Sequence, residues 1–253
     1  MMRWLARGLV LLLLSAVALQ LMFVARIAMM ALVDPQSTSF QRSEIWRLAT
    51  ERHEVLWSQA WRSYPRIGAP LKRAVIAAED ASFTDHGGVD WEAIEKAWER
   101  NQRAEARAEQ LQSRLEAQRP KKGSTRAAPP PKVVGGSTIT QQLAKNLFLS
   151  GERSLARKGQ EFVVTHVLEA LLTKERILEI YLNSVEWGEG LFGAQAAARH
   201  YFRVDADRLA PMQAARLAVM LPAPKRFEKR PGSAYIAGRA ATIVARMGAV
   251  ELP

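Results

Sequence analysis

Residues 70–88 read PLKRAVIAAEDASFTDHGG, and their pattern decides the fold class. From Leu71 to Ala78 the apolar residues recur at helical spacing, and the same spacing returns in Phe162 to Leu172, Ile177 to Leu182, Ala194 to Tyr201 and Met212 to Leu221. Little in the chain alternates with period two, so the expected class is mainly α. Glu79 and Asp80 come directly after the apolar run Ala74 to Ala78. A carboxylate at the end of a buried helix is desolvated, which favours its neutral form and prepares it to act as a general base or acid. The same pattern also fits acids that only cap or pair at a helix C-terminus, and a lone His86 reads equally well as a structural histidine.

Toward the N-terminus, Gly8 to Ala25 carries no charged side chain, and a second apolar run follows Arg26 from Ile27 to Val33. That is the length of a membrane-spanning helix. Arg3 and Arg7 precede it, so the positive-inside tendency puts the N-terminus in the cytoplasm and the rest of the chain outside. A cleaved signal peptide is the competing reading, with Ala16-Val17-Ala18 as its site, but the apolar character continues well past it. The expected division is a cytoplasmic tail at 1–7, an anchor at 8–33, a juxtamembrane segment at 34–69 and a catalytic domain at 70–253. Residues 40–61, with Ile45, Trp46, Leu48, Val55, Leu56, Trp57 and Trp61, read as an amphipathic helix within the juxtamembrane part.

The chain has 253 residues, no cysteine and a net charge of +11. Disulfides and thiolate metal sites are therefore excluded. The charge is concentrated: residues 1–33 contribute +3 and residues 99–132 contribute +5. What remains supports no nucleic-acid groove. Residues 99–119 are rich in Glu, Arg, Gln and Ala and run into Pro120, Lys121, Lys122 and the prolines at 129–131, so a mobile, solvated insertion is expected over about 99–132.

Two further stretches carry candidate chemistry. In Gly135-Gly136-Ser137-Thr138-Ile139-Thr140-Gln141-Gln142-Leu143-Ala144-Lys145-Asn146, Thr138 and Gln141 fit a capping box that opens a helix. Such an N-terminus can also hold an anion such as a pyrophosphate, and spacing alone leaves that open. Farther on, Arg153 precedes Arg157, Lys158 and Glu161, the last three placed on one helical face. This is either a surface ion-pair ladder or a cationic site that keeps Glu161 ionised, opposite to the tendency at Glu79.

In this order the stretches resemble the monofunctional biosynthetic peptidoglycan transglycosylases of glycosyltransferase family 51. Glu79-Asp80, Phe83, His86 and Gly88 look like the first family motif, and Gly136 to Gln142 with Lys145 and Asn146 like the second. Arg157-Lys158 and Glu161 resemble the third, Lys174 to Asn183 the fourth, and Gly190 to Phe202 the last. The resemblance covers roughly residues 65–231 and implies a lysozyme-like helical domain with a membrane-facing cleft. It implies lipid II and the growing glycan chain as substrates, membrane lipid as a neighbour, and a monofunctional enzyme without a transpeptidase half. It assigns catalysis to Glu79, as the base, and Glu161. It assigns substrate contacts to Asp80, Phe83, His86, Ser137, Thr138, Gln141, Gln142, Lys145, Asn146, Arg153, Arg157, Lys158 and Asn183. A divalent cation, Mg2+ or Mn2+, at the pyrophosphate rests on the family alone, since no metal-ligand cluster is visible in the sequence. Two departures stand out: the long insertion at 99–132, and Gln213-Ala214-Ala215 where relatives often carry a glutamate before the alanines. The alternatives are a lysozyme-like hydrolase, which has no use for cations around a pyrophosphate, and a membrane-tethered scaffold for division or elongation machinery.

Overall fold

The computed structural model describes residues 2–117, 135–149, 151, 152 and 154–253. Two compact units divide the chain, one holding residues 1–88 and 138–253 and the other residues 89–137. The first unit is mainly helical, as its sequence periodicity requires. It begins with α1 (Met2–Met30). Among the described residues this helix is long and apolar enough to cross a membrane, and almost all of that stretch is uncovered by protein. Leu9 to Leu14 lie exposed, which is the reverse of what a core helix of the same composition shows.

Only the C-terminal turns of α1 are docked. Phe23, Ile27 and Met30 join the domain's core. The Phe23 ring meets Phe148 edge-on at 5.2 Å, and Arg26 lies over the same ring. Gln20 and Gln160 exchange amide hydrogen bonds of 2.7 and 3.0 Å. Arg176 then grips the end of the anchor, donating to the Met30 carbonyl at 2.7 Å and to Asp34 at 2.8 Å.

The juxtamembrane segment departs from the single helix its composition suggests. Thr38 and Gln41 form a capping box that opens α2 (Ser39–Arg47), a wide π turn follows at Leu48–Arg52, and His53 stops it in the left-handed region at φ 55°. No helix resumes before Tyr64, and β1 (Ser58–Gln59) finds a sheet partner far along the chain. Local pattern cannot report that pairing. Next come α3 (Ala69–Glu79), α5 (Ile139–Phe148), α6 (Leu155–Leu171) and α7 (Lys174–Ser184), with α4 (Trp91–Ala117) belonging to the other unit. A small sheet is completed by β2 (Glu186–Gly188) and β3 (Leu191–Phe192), in the order β1-β3-β2, with β1 parallel and β2 antiparallel to β3. Gly190 makes the crossing possible: it sits at φ +70°, and a Cβ there would lie 1.9 Å from the Leu56 carbonyl oxygen. The chain closes with α8 (Ala194–Phe202), α9 (Pro211–Met220), α10 (Pro224–Phe227) and α11 (Ala234–Met247).

α3 packs on α9 and α11, and α5 packs on α2, α6 and α7. Leu71, Val75 and Ile76 of α3 are almost wholly buried. Each such side chain contributes about 1.5–3 kcal/mol of transfer free energy, so the helix that carries Glu79 is held firmly from one side.

The second unit contains α4 (Trp91–Ala117), whose start is capped by Asp90 accepting the Ala93 N–H at 2.7 Å. Residues 99–117 thus continue a helix, and the side chains of 99–114 are mostly exposed, as those of a solvated segment would be. Glu, Arg, Gln and Ala are strong helix formers, and pairs such as Glu99 with Arg103 at 3.1 Å add i,i+4 support without burying a face. The expectation for 118–132 lies outside the described residues.

Candidate active site

Glu79 ends α3, half-buried at the edge of the core. Burial pushes its carboxyl above the ordinary value; a hydrogen bond from Gln142 acts against that rise, Asp80 adds to it and Lys145 opposes it. The Gln142 Nε2 donates to Glu79 Oε2 at 2.9 Å, and the Tyr181 hydroxyl donates to Gln142 Oε1 at 3.0 Å. Tyr181 is wholly buried, which holds its phenol well above 10 and therefore protonated. The phenol fixes which way the Gln142 amide points, and the amide fixes Glu79.

Around this relay the first two motifs are knitted together. Asp80 is buried, accepting the Ile139 N–H of the α5 N-terminus at 3.0 Å on Oδ2. Its Oδ1 lies 2.9 Å from His86 Nε2, and the Gly88 N–H donates to His86 Nδ1 at 3.1 Å, which leaves the imidazole proton on Nε2 facing Asp80. Thr138 closes its capping box with Gln141, accepting the Gln141 N–H at 3.1 Å, and its hydroxyl donates to the Gly88 carbonyl at 2.6 Å. Phe83 is buried beneath Lys174, which lies 4.5 Å over its ring and donates to the His86 carbonyl. These residues hold the frame on which Glu79 and α5 meet.

The third motif forms a cationic corner. Ser154 caps α6 by accepting the Arg157 N–H at 3.1 Å, and Arg157 Nη1 reaches Glu161 at 2.9 Å while Lys158 pairs with the other oxygen of the same carboxylate. Lys145 is coupled electrostatically to both glutamates. Burial lowers its pKa first, Glu161 and Glu79 raise it, and Arg157 and Lys158 lower it.

A cleft of about 520 Å³ is lined by Gln142, Lys145, Asn146, Arg157 and Tyr181 together with Phe40, Ser43, Glu44 and Glu186. Among the described residues, two buried side-chain atoms lack a hydrogen bond: Arg157 Nε and Glu186 Oε1. Both residues line this cleft. Buried polar atoms are ordinarily satisfied, so the cleft holds one donor and one acceptor still able to hydrogen-bond a group entering it.

The remaining expected residues fall elsewhere. Asn183 is wholly buried, exchanging 2.8 Å hydrogen bonds with the Arg62 backbone and donating to the Glu179 carbonyl, so its amide holds the chain before α3 to α7. Ser137 is exposed and belongs to the second unit, and Arg153 lies outside the described residues. Sequence reading did not single out Tyr181, Glu44 or Glu186 as site residues. Tyr181 lies within a quoted motif, which was the available signal, whereas the two acids carry none.

A helical domain that sets a desolvated carboxyl, through its Gln142 partner, beside a cleft lined by Lys145 and Arg157 has the parts of an enzyme acting on an anionic substrate. The transglycosylase family model matches residues 47–122 and 123–248. A biosynthetic peptidoglycan transglycosylase from Paraburkholderia phytofirmans is 50% identical over 236 residues, covering 93% of this chain and 88% of its own. Proteins of the same name from Burkholderia thailandensis, 50% identical with 93% and 82% covered, and Paraburkholderia xenovorans, 49% identical with 93% and 88% covered, are similar to the same extent. The chain belongs to the transglycosylase family and is a glycosyltransferase.

Proposed function

We propose that this enzyme builds peptidoglycan strands by joining the 4-hydroxyl of an acceptor lipid II to the anomeric carbon of a growing chain carried on polyprenyl pyrophosphate. The O4–C1 bond forms, the bond from C1 to the pyrophosphate breaks, and the hydroxyl proton passes to Glu79, with inversion at C1 and no peptide cross-linking. A sugar hydroxyl is a weak nucleophile, so a base with a raised proton affinity suits the task. Lys145, Arg157 and Lys158 would meet the negative charge growing on the leaving group, with Arg157 Nε as the free donor and Glu161 holding the two side chains in place. The observation that carries this reading is the single cleft in which Gln142, hydrogen-bonded to Glu79, stands beside Lys145 and Arg157.

A resident divalent cation fits this corner poorly. Its carboxylate, Glu161, already spends one oxygen on Arg157 and the other on Lys158, so a metal would compete with two fixed cations. The side-chain cations carry the reaction as described here. We read α1 as a single anchor with its N-terminus in the cytoplasm, because Arg3 and Arg7 flank its first turns. That puts the cleft on the outer side of the inner membrane, where membrane-carried substrate is within reach. Labelled lipid II incubated with the full chain tests the function: lengthening glycan is the expected product, and cleavage of preformed glycan without polymerisation would assign a hydrolase instead.

A further inference from the structure

Two carboxyl groups line the cleft itself, Glu44 and Glu186, and the transfer reaction uses neither. Glu186 begins β2 with its side chain only 6% exposed. Lys225 Nζ is 3.6 Å from its orphan Oε1, beyond hydrogen-bond reach, and that ammonium is already engaged by Glu44, which Arg47 holds as well at 3.0 Å. Glu228 is a further negative charge beside it, accepting the Glu189 N–H at 2.6 Å. Burial pushes the Glu186 carboxyl up to about 7, with Lys225 opposing the rise and Glu44 and Glu228 adding to it.

Such a group weakens the fold. Its Oε1 keeps the Lys225 ion pair at 3.6 Å but no hydrogen bond, so burial costs it more solvation than that one contact returns. Its raised proton affinity means that the folded chain binds this proton where the unfolded chain does not, so between the ordinary carboxylate value and about 7 stability falls as pH rises. A residue that destabilises its own domain while facing the substrate cleft is better explained by what it meets there. The Lys145 and Arg157 part of the lining suits an anion, and Glu44 with Glu186 does not. An acceptor oxygen suits a hydroxyl or an amide N–H, the donors that a glycan carries along its whole length.

We propose that Glu186 is a substrate-contact residue that accepts a hydrogen bond from a sugar hydroxyl or acetamido N–H of the glycan lying in the cleft, so that the strand runs from the Lys145–Arg157 corner toward α2. This rests on the cleft being the site of glycan transfer. Glu44 and Lys225 are the positioning pair: with its hydrogen bond given to Glu44, the ammonium faces Glu186 across a 3.6 Å ion pair and leaves Oε1 free to accept from a ligand.

The test is steady-state polymerisation of labelled lipid II by the full chain in detergent, with melting temperatures taken alongside. Glu186→Ala should raise KM about 5- to 30-fold, the worth of one hydrogen bond in a desolvated site, with kcat changed less. Glu186→Gln keeps an acceptor oxygen and should restore part of the KM. The wild-type KM should change with pH near 7, and that of the Gln variant should not. Both variants should melt at or above the wild-type temperature at pH 8. Unchanged KM in a folded Glu186→Ala chain, or a Gln variant that melts lower and loses kcat alone, overturns the proposal by itself. A folded wild type that does not polymerise lipid II overturns the transfer reading and this proposal together.

Discussion

Replacing Tyr181 by Phe removes one hydroxyl and tests whether Gln142 is aimed at Glu79 by design. In the wild type the phenol donates to Gln142 Oε1, which turns the amide nitrogen toward Glu79 Oε2. Without it the amide is free to rotate half a turn, bringing carbonyl oxygen against carboxylate oxygen, a pairing tolerable only when Glu79 is protonated. Losing the aim of one such bond costs about 1–3 kcal/mol of preference for the ionised base, which corresponds to roughly 1–2 pKa units. The base works only when ionised, and its proton affinity is already raised by burial, so activity is lost as pH falls through that raised value. Tyr181→Phe should therefore move the acidic limb of kcat/KM upward by about that much and slow the reaction about 5- to 150-fold at a pH below the new midpoint. Thermal stability should change by no more than about 1 kcal/mol, since the freed amide lines the cleft and meets water. A folded variant whose rate and acidic limb match the wild type would refute the relay.

Arg176→Met should loosen the anchor's seat, because it abandons the Met30 carbonyl, Asp34 and the half-buried Glu179 together; a loss of about 2–4 kcal/mol in unfolding free energy is expected, read by thermal melting in detergent. Replacing residues 99–126 with a short Gly/Ser linker should leave measurable polymerisation, because the named catalytic and cationic residues lie outside them; total loss of activity in a folded chain would show that this stretch belongs to the site. A reporter fused after Pro253 should be active only outside the cytoplasm, and cytoplasmic activity there would reverse the topology inferred from Arg3 and Arg7.

What could be read from the sequence is what neighbouring residues decide among themselves. The apolar spacing before Glu79, the Thr138–Gln141 capping box and the shared face of Arg157, Lys158 and Glu161 are all set within one or two helical turns, and each is present in the structure. What escaped depends on partners far along the chain. Tyr181 meets Gln142 across 39 residues and Gln142 meets Glu79 across 63, so no local spacing announces the relay. Ser58 and Gln59 are extended because β1 pairs with β3, against the helical pattern of the neighbouring tryptophans. Asn183 looks like a substrate residue by motif, yet its amide is spent on the backbone of Arg62 and Glu179. Residues 99–117 mislead in the opposite sense: too polar to bury a face, they remain helical through propensity and side-chain pairs.

The central claim is that Glu79 takes the proton of the attacking sugar hydroxyl, and single-turnover extension of labelled lipid II by Glu79→Gln tests it most directly. The substitution keeps the shape and a hydrogen-bonding oxygen beside Gln142 but removes the proton acceptor. Substrate binding should persist while the rate falls by about 10²–10⁴-fold, and the acidic limb of the pH profile should disappear. The alkaline limb, where Lys145 loses its charge as pH rises through its lowered pKa, should remain. Near-normal extension by a folded Glu79→Gln chain, with the acidic limb intact, would contradict the account.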